Sequence, residues 1–336
     1  MARRLVILAG LLGLLVVAGL VVLRPGGEDA RPRPAAAARD VLAPDRGVLL
    51  GAWVAPSRSG SSEPVAELEA RLGRRLAINH HFYPWRRPFP TARERADLAA
   101  GRIPMISWNG TFTDRIAAGE EDQLIRARAA AVRDLGRPVL LRWFWEMDGN
   151  AKAEWVRSPA SFVAAWRHLH DLFAAEGADN ARWVWCPNAD AFAGARGGVD
   201  QYYPGDRYVD WLCADGYNWA PRRPGDRWQS FAEIFGAFYA WTAPKGKPMM
   251  VGEFGVLERA PGEKARWIAD AGNAVRDRFP AVAALVYFNE NKLEQDRRGD
   301  KRYDWRIQTS PSSEAAFRAL AADPYFRAGQ PPDQPP

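Results

Sequence analysis

Eight short apolar runs punctuate the chain between Gly47 and Phe326: Val48–Val54, Leu76–Asn79, Ile103–Trp108, Val139–Trp145, Trp183–Cys186, Val209–Ala214, Pro248–Gly252 and Val282–Phe288. Each is nearly continuous rather than alternating, the pattern of a strand covered on both faces. Helical signals lie between them. Thr91-Ala-Arg-Glu94 is a capping box, and Gly101 is a stop. Gln123–Leu135 ends at Gly136, and Ser158-Pro159 places a cap before a proline at the first helical position. Phe162, Trp166, Leu169 and Phe173 then share one face, and Gly177 closes that helix. Phe231, Ile234, Phe235 and Phe238 repeat the pattern, as do Trp267, Ile268, Ala271 and Val275, while Phe317 and Leu320 end the series. Val65 and Leu68 mark a weaker helix. The stretch between the fifth and sixth runs is short and glycine-rich, and predicts at most a turn.

Eight buried strands alternating with helices predict an α/β fold, a (β/α)8 barrel over residues 47–327. A doubly wound sheet would carry a glycine-rich phosphate turn after its first strand. Here Val54 is followed by Ala-Pro-Ser-Arg-Ser-Gly, which lacks that spacing.

The N-terminus has a different pattern. Arg3 and Arg4 precede Leu5–Leu23, a run without a polar side chain. As a helix it would be about 28 Å long, close to the thickness of a bilayer core. Residues 1–23 are therefore expected to form an uncleaved single-pass membrane anchor, with the preceding arginines inside and the body extracellular. The alternative is a cleaved signal and a secreted body. Residues 24–46 are rich in proline, alanine and arginine and read as a linker, and 328–336 read as a disordered tail.

Composition sharpens this picture in two places. The net charge is +6, and residues 1–46 hold seven arginines against four acids, so half of the excess lies in the tail. The remaining arginines are scattered among acids, which argues against a nucleic-acid partner. The second oddity is a count of 15 tryptophans. Trp53, Trp85, Trp108, Trp145, Trp185 and Trp219 fall at or just beyond expected strand ends, the active rim of a barrel. Indole rings there, with carboxylates between them, suit stacking against the sugar rings of a polysaccharide.

Two carboxylates stand out on that rim. Glu146 follows Val-Leu-Leu-Arg-Trp-Phe-Trp, and Glu253 follows Pro-Met-Met-Val-Gly. A glutamate just past a buried strand needs partners or a shifted titration. Glycoside hydrolysis uses two such acids, one to protonate the leaving oxygen and one to attack or to activate water. Arg142, two alternations before Glu146, can bring positive charge into the barrel mouth. His80-His81 has no third ligand at metal spacing, so neither metal nor cofactor is expected. His80 is expected either to bond sugar hydroxyls at the rim or to be a structural histidine. Cys186 and Cys213 end neighbouring strands, as a disulfide or as two buried thiols.

At these residues the chain resembles glycoside hydrolase family 26, which contains β-mannanases, mixed-linkage β-glucanases and β-1,3-xylanases. The motifs are Leu-Leu-Arg142-Trp-Phe-Trp-Glu146-Met-Asp148-Gly149, Asp215-Gly-Tyr217-Asn218-Trp219, Met250-Val-Gly-Glu253-Phe-Gly255, Tyr287-Phe-Asn289 and Asp304-Trp-Arg306. They occur in order along most of residues 47–323. The resemblance implies a retaining endo-β-glycanase acting on β-mannan or mixed-linkage β-glucan. Glu146 is then the acid/base, which must hold its proton. Glu253 is the nucleophile, which must react as an anion, and Tyr217 holds it by a hydrogen bond. Arg142, Trp145, Asp148, His80, Trp85, Trp108, Asn218, Trp219 and Asn289 are the expected substrate-binding residues. Retention implies carboxyl groups about 5–5.5 Å apart. One departure concerns Trp145, where family mannanases commonly carry His before the acid/base. Indole cannot accept a hydrogen bond. The Asp215–Trp219 and Asp304–Arg306 segments look more like the glucanase members. The body is expected to be a monomer. The competing readings are a non-catalytic polysaccharide-binding or biosynthesis-accessory barrel, and a transglycosylase.

Overall fold

A computed structural model describes residues 40–56, 64–219, 227–292 and 304–329. Eight parallel strands close a barrel in chain order: β1 (Leu49–Val54), β2 (Ile78–Tyr83), β3 (Ile103–Trp108), β4 (Val139–Trp143), β5 (Ala181–Trp185), β6 (Trp211–Asn218), β7 (Met249–Val256) and β8 (Val282–Asn289). The last strand returns to the first, Leu49 pairing with Ala284 and Val54 with Asn289. Around them, among the described residues, run α1 (Pro64–Leu72), α2 (Ala92–Ala99), α3 (Thr113–Ala117), α4 (Asp122–Arg133), α5 (Ala153–Val156), α6 (Pro159–Ala175), α7 (Phe231–Thr242), α8 (Glu263–Asp277) and α9 (Pro311–Ala322). The caps read from the sequence are in place. Thr91 and Glu94 close a reciprocal box on α2, and Ser158 caps α6 ahead of Pro159. Between β5 and β6 the chain makes only 3-10 turns, at Ala189–Ala193, Ala195–Gly197, Asp200–Tyr202 and Asp206–Tyr208.

The two faces of each strand divide the core. Val139, Leu141 and Trp143 of β4 pack outward on the helices. Ile78, Met105, Leu140, Val184, Cys213 and Met250 fill the barrel interior. Leu42 and Ala43 pack against that interior cluster, and Asp40 lies 3.4 Å from Arg182. Residues 40–46, the end of the stretch read as linker, therefore lie against the barrel. The anchor expected at residues 1–23 falls outside the described residues. Among the described residues no helix is long and apolar enough to cross a membrane.

Two residues further along four of these strands, on the same inward face, the interior turns polar. Ile78 is followed by His80, Met105 by Ser107, Leu140 by Arg142 and Cys213 by Asp215. This change explains why β2, β6 and β7 outrun their apolar signatures, which stop at Asn79, Ala214 and Gly252. The polar side chains pair with each other inside the barrel, so the backbone ladder continues past the point where hydrophobicity ends.

Candidate active site

Arg142 is the hub of this polar layer and is fully buried. Its Nε donates to Ser107 Oγ at 2.7 Å. One terminal nitrogen donates to both oxygens of Asp215, at 2.8 and 2.7 Å. The other donates to Glu253 Oε1 and lies 3.3 Å from His80 Nε2. Ser107 Oγ, which accepts from Arg142, sits 2.6 Å from the same imidazole nitrogen. Arg142 has no acceptor, so His80 Nε2 accepts and Nδ1 carries the ring proton. Burial, with Arg142 close by, holds His80 well below the usual histidine range, consistent with a neutral ring.

Glu253 reaches the hub through a bulge. Ala214 pairs with Val251, but Asp215 pairs with Glu253, so Gly252 is an extra residue in β7. A Cβ at Gly252 would lie 2.4 Å from Cys213 Sγ and 2.9 Å from Asp215 Oδ1, so this close passage requires glycine. Cys186 and Cys213 form a disulfide just beneath. The second oxygen of Glu253 accepts from the Tyr217 hydroxyl. Burial and the neighbouring carboxylates push the Tyr217 phenol well up, so it remains a donor through the neutral range. The Tyr217 ring rests 4.7 Å from that of Trp305, whose carbonyl accepts from Tyr287 at 2.7 Å.

Glu146 comes from the other side on irregular backbone. After β4 ends at Trp143, Phe144 (φ 46°) and Glu146 (φ 52°) are both left-handed. Such residues cost about 1–2 kcal/mol each. The turn is pinned by Phe144 N to Trp108 O at 2.9 Å, Glu146 N to Cys186 O at 2.8 Å and Gly149 N to Glu146 O at 3.0 Å. The Phe144 ring lies where a Cβ on Gly110 would be, 2.0 Å from its nearest atom. Lys152 folds back to donate to the Trp145 carbonyl.

Carboxylate oxygens of Glu146, Asp215 and Glu253 lie within 4.8 Å of one another. Arg142 supplies counter-charge to two of them. Glu146 has no such direct partner among the described residues, and burial together with the charge of Glu253 raises its titration, against the pull of Lys152 and Arg142. Burial also pushes Asp215 well up, with Arg142 pulling against it. A cavity of about 260 Å3 opens beside this cluster, lined by Glu146, Asp215, Tyr217, Trp219, Asn188 and Gln229. The arrangement offers a proton donor on the cavity wall with an anchored carboxylate, Glu253, close beside it.

Residues 118–247 match the profile of glycosyl hydrolase family 26. Over 283 residues, 81% of this chain, it is 35% identical to endoglucanase H of Acetivibrio thermocellus and covers 30% of that protein. The segment that carries Glu146, Asp215 and Tyr217 belongs to glycosyl hydrolase family 26. It is also 25% identical over 161 residues, 47% of its length, to mannan endo-1,4-beta-mannosidase A and B of Caldalkalibacillus mannanilyticus, covering 27% of it. The chain thus spans under a third of these curated relatives. Among solved structures, the fold resembles a family 26 β-mannanase of Bacteroides ovatus, with TM-score 0.59, 15% identity, 84% of this chain and 90% of that one covered.

Within this barrel the expected substrate-binding residues separate into two groups. Trp219 is exposed at the cleft and contacts Tyr217 and Trp305. Trp145 is half-buried, with the Lys152 ammonium 3.8 Å from its ring centre and the Arg142 guanidinium 5.3 Å away, so cations occupy the ring expected to meet sugar. Trp85 and Trp108 correct the expectation outright. They stack on each other at 4.3 Å behind the sheet, and their N–H groups go to Glu121 and to the Trp85 carbonyl. Trp108 follows inward-facing Ser107, so it must face the helices. Trp185 is likewise buried, against Tyr203 and Trp241. His80 lies within β2 rather than after it and serves Arg142. Asp148 accepts from Asn188 N at 2.9 Å, Asn218 from Gln229 N at 3.5 Å and Asn289 from Ile307 N at 2.8 Å, so all three tie rim segments together from buried positions. Asp215, Ser107, Trp305 and Lys152 join the site beyond the expected residues. Asp215 and Trp305 sit inside the family motifs, which is their signal in the sequence; Lys152 has none.

Proposed function

We propose that this barrel is a retaining endo-β-glycanase that uses Glu146 as acid/base and Glu253 as nucleophile. The observation that carries the reading is that one carboxylate oxygen of Glu146 lies within 4.8 Å of one of Glu253, while the two groups are held by different neighbours. Inverting enzymes leave about 6.5–9.5 Å between carboxyl groups to admit a water, so a closer pair fits retention. Glu146 is the member whose surroundings favour the proton. Glu253 has one oxygen held by Arg142 and the other by Tyr217, which orients it as an anion.

In the first step Glu146 gives its proton to the glycosidic oxygen as the bond to the anomeric carbon breaks. Glu253 attacks that carbon and forms a glycosyl ester. The Glu146 carboxylate then takes a proton from water, which displaces Glu253 and returns both groups to their starting state. Retention follows from two inversions. The substrate is a β-linked polysaccharide, with β-glucan ahead of β-mannan because a relative 35% identical over 283 residues is named an endoglucanase. No cofactor enters these steps.

The body works outside the cell, tethered by residues 1–23. The Cys186–Cys213 disulfide supports an oxidising compartment. Reducing-sugar release from mixed-linkage β-glucan, β-mannan, xylan and cellulose tests the reading. Release by the wild type and its loss in Glu253→Ala are expected, with the glucan cut fastest. Equal activity in the two proteins would remove Glu253 from the mechanism, and binding without turnover on every polymer would favour an accessory role.

A further inference from the structure

Lys152 lies on the turn that delivers Glu146, and the reaction as written does not use it. Its side chain is half-buried and donates to the Trp145 carbonyl, one residue before the acid. Its nitrogen stands 3.8 Å from the centre of the Trp145 ring and 5.7 Å from that of Phe144. It therefore grips the residue between the two left-handed positions, Phe144 and Glu146. The grip includes a cation over an indole, the ring that attracts cations best.

We propose that Lys152 is the positioning residue of the acid/base: its ammonium clamps the left-handed turn through Trp145 and brings positive charge to the segment that carries Glu146. The inference rests on the reading of Glu146 as proton donor.

An acid/base must release its proton in one step and recover it in the next, so a carboxyl held too firmly protonated donates poorly. Burial, Glu253 and Asp148 all favour the protonated form of Glu146. Lys152 and Arg142 oppose them, and Lys152 acts the more strongly. Among the described residues Arg142 is paired with Asp215 and Glu253, whereas Lys152 donates to a neutral carbonyl. On Lys152 itself, burial and Arg142 push the amine down to about 8, while Glu146, Glu253 and Asp215 support its charge. The ammonium is thus present through the neutral range and titrates close above it.

The test uses the full chain with three substitutions. Lys152→Met removes the charge and keeps the stem, Lys152→Gln keeps an N–H donor for the Trp145 carbonyl, and Lys152→Arg keeps the charge. Two readouts are taken. One is the pH profile of kcat/KM on mixed-linkage β-glucan. The other is the 13C titration of labelled glutamate carboxyls, with Glu146 assigned by the signal lost in Glu146→Gln. In Lys152→Met and Lys152→Gln, the alkaline limb and the Glu146 titration should both move up by about one to three pH units. Lys152→Arg should restore the wild-type position. An unmoved Glu146 titration in a folded, uncharged variant would overturn the proposal, as would an equal shift in Lys152→Arg. If Lys152→Met fails to fold, Lys152→Gln decides. A wild type without turnover on any β-glycan would sink the hydrolase reading, and the carboxyl titration would still decide the role of Lys152.

Discussion

Replacing Arg142 with methionine removes the guanidinium that bridges Asp215 and Glu253 and keeps most of the side-chain volume. The arginine side chain is 0% exposed, and the two carboxylates it bridges are 0% and 6% exposed. Removing one partner of a buried ion pair costs about 3–5 kcal/mol, because the other partner stays buried and uncompensated. A barrel of this size melts with an entropy near 0.6 kcal/mol/K, so the loss is about 5–8 °C in Tm. The deficit also has a sign with pH. Asp215 is already raised by burial, and loss of the guanidinium raises it further. A carboxyl whose folded pKa exceeds its unfolded one binds more protons when folded, so stability falls as pH rises through that window. The Arg142→Met deficit should therefore be largest at pH 7–8 and shrink towards pH 5. Thermal melts by circular dichroism at the two pH values measure it. Adding Asp215→Asn removes one of the stranded anions and should recover part of the loss at pH 7. A Tm within about 1 °C of wild type, or a deficit that grows on acidification, would refute the account of the hub as a charge-balanced layer.

Two further outcomes follow from the same geometry. Tyr217→Phe removes the hydroxyl that donates to Glu253. A hydrogen bond to a charged group contributes about 1.5–3 kcal/mol, so kcat/KM should fall about 10- to 150-fold in steady-state assays with Tm little changed. Trp85→Ala and Trp219→Ala should behave oppositely. The first breaks a buried stack and should cost about 3–5 kcal/mol of stability while leaving KM alone. The second removes a ring that is 36% exposed at the cleft, and should raise KM and leave the melt unchanged.

The barrel was legible because each strand is covered on both faces, so all eight announce themselves as apolar runs. The same double coverage hid which face each residue takes. A place near strand ends predicts rim positions for Trp85, Trp108 and Trp185, yet they pack outside the sheet or behind the rim. The apolar runs also stop short of the ends of β2, β6 and β7, for a related reason. Hydrophobicity records where the interior becomes polar, whereas strand length is set by hydrogen bonding, which runs on through His80, Asp215 and Glu253. The motif residues Glu146, Glu253, Tyr217 and Arg142 do converge, with Arg142 and Tyr217 holding the two oxygens of Glu253.

Neither glutamate reaches the cleft on regular backbone. Glu253 is offset by the extra Gly252 in β7, and Glu146 is turned by left-handed conformations at itself and at Phe144. Both irregularities are supported from outside the residues that react. Gly252 passes over the disulfide, Gly110 leaves space for the Phe144 ring, and Gly255 comes within 3.0 Å of Trp305 at its Cβ position, which seats the ring beneath Tyr217. A left-handed phenylalanine or a one-residue slip between neighbouring strands has no signature in hydropathy, since both are imposed by tertiary packing. This explains why the position of Lys152 could not be read from its place in Asn-Ala-Lys-Ala, while the two acids could be named from motif order alone. The separation of the carboxylates, and with it the choice between one displacement and two, depends on the bulge and the turn together. A change at Gly252 or Gly110 should therefore alter catalysis without touching either glutamate, because each glycine holds one half of the distance on which retention depends.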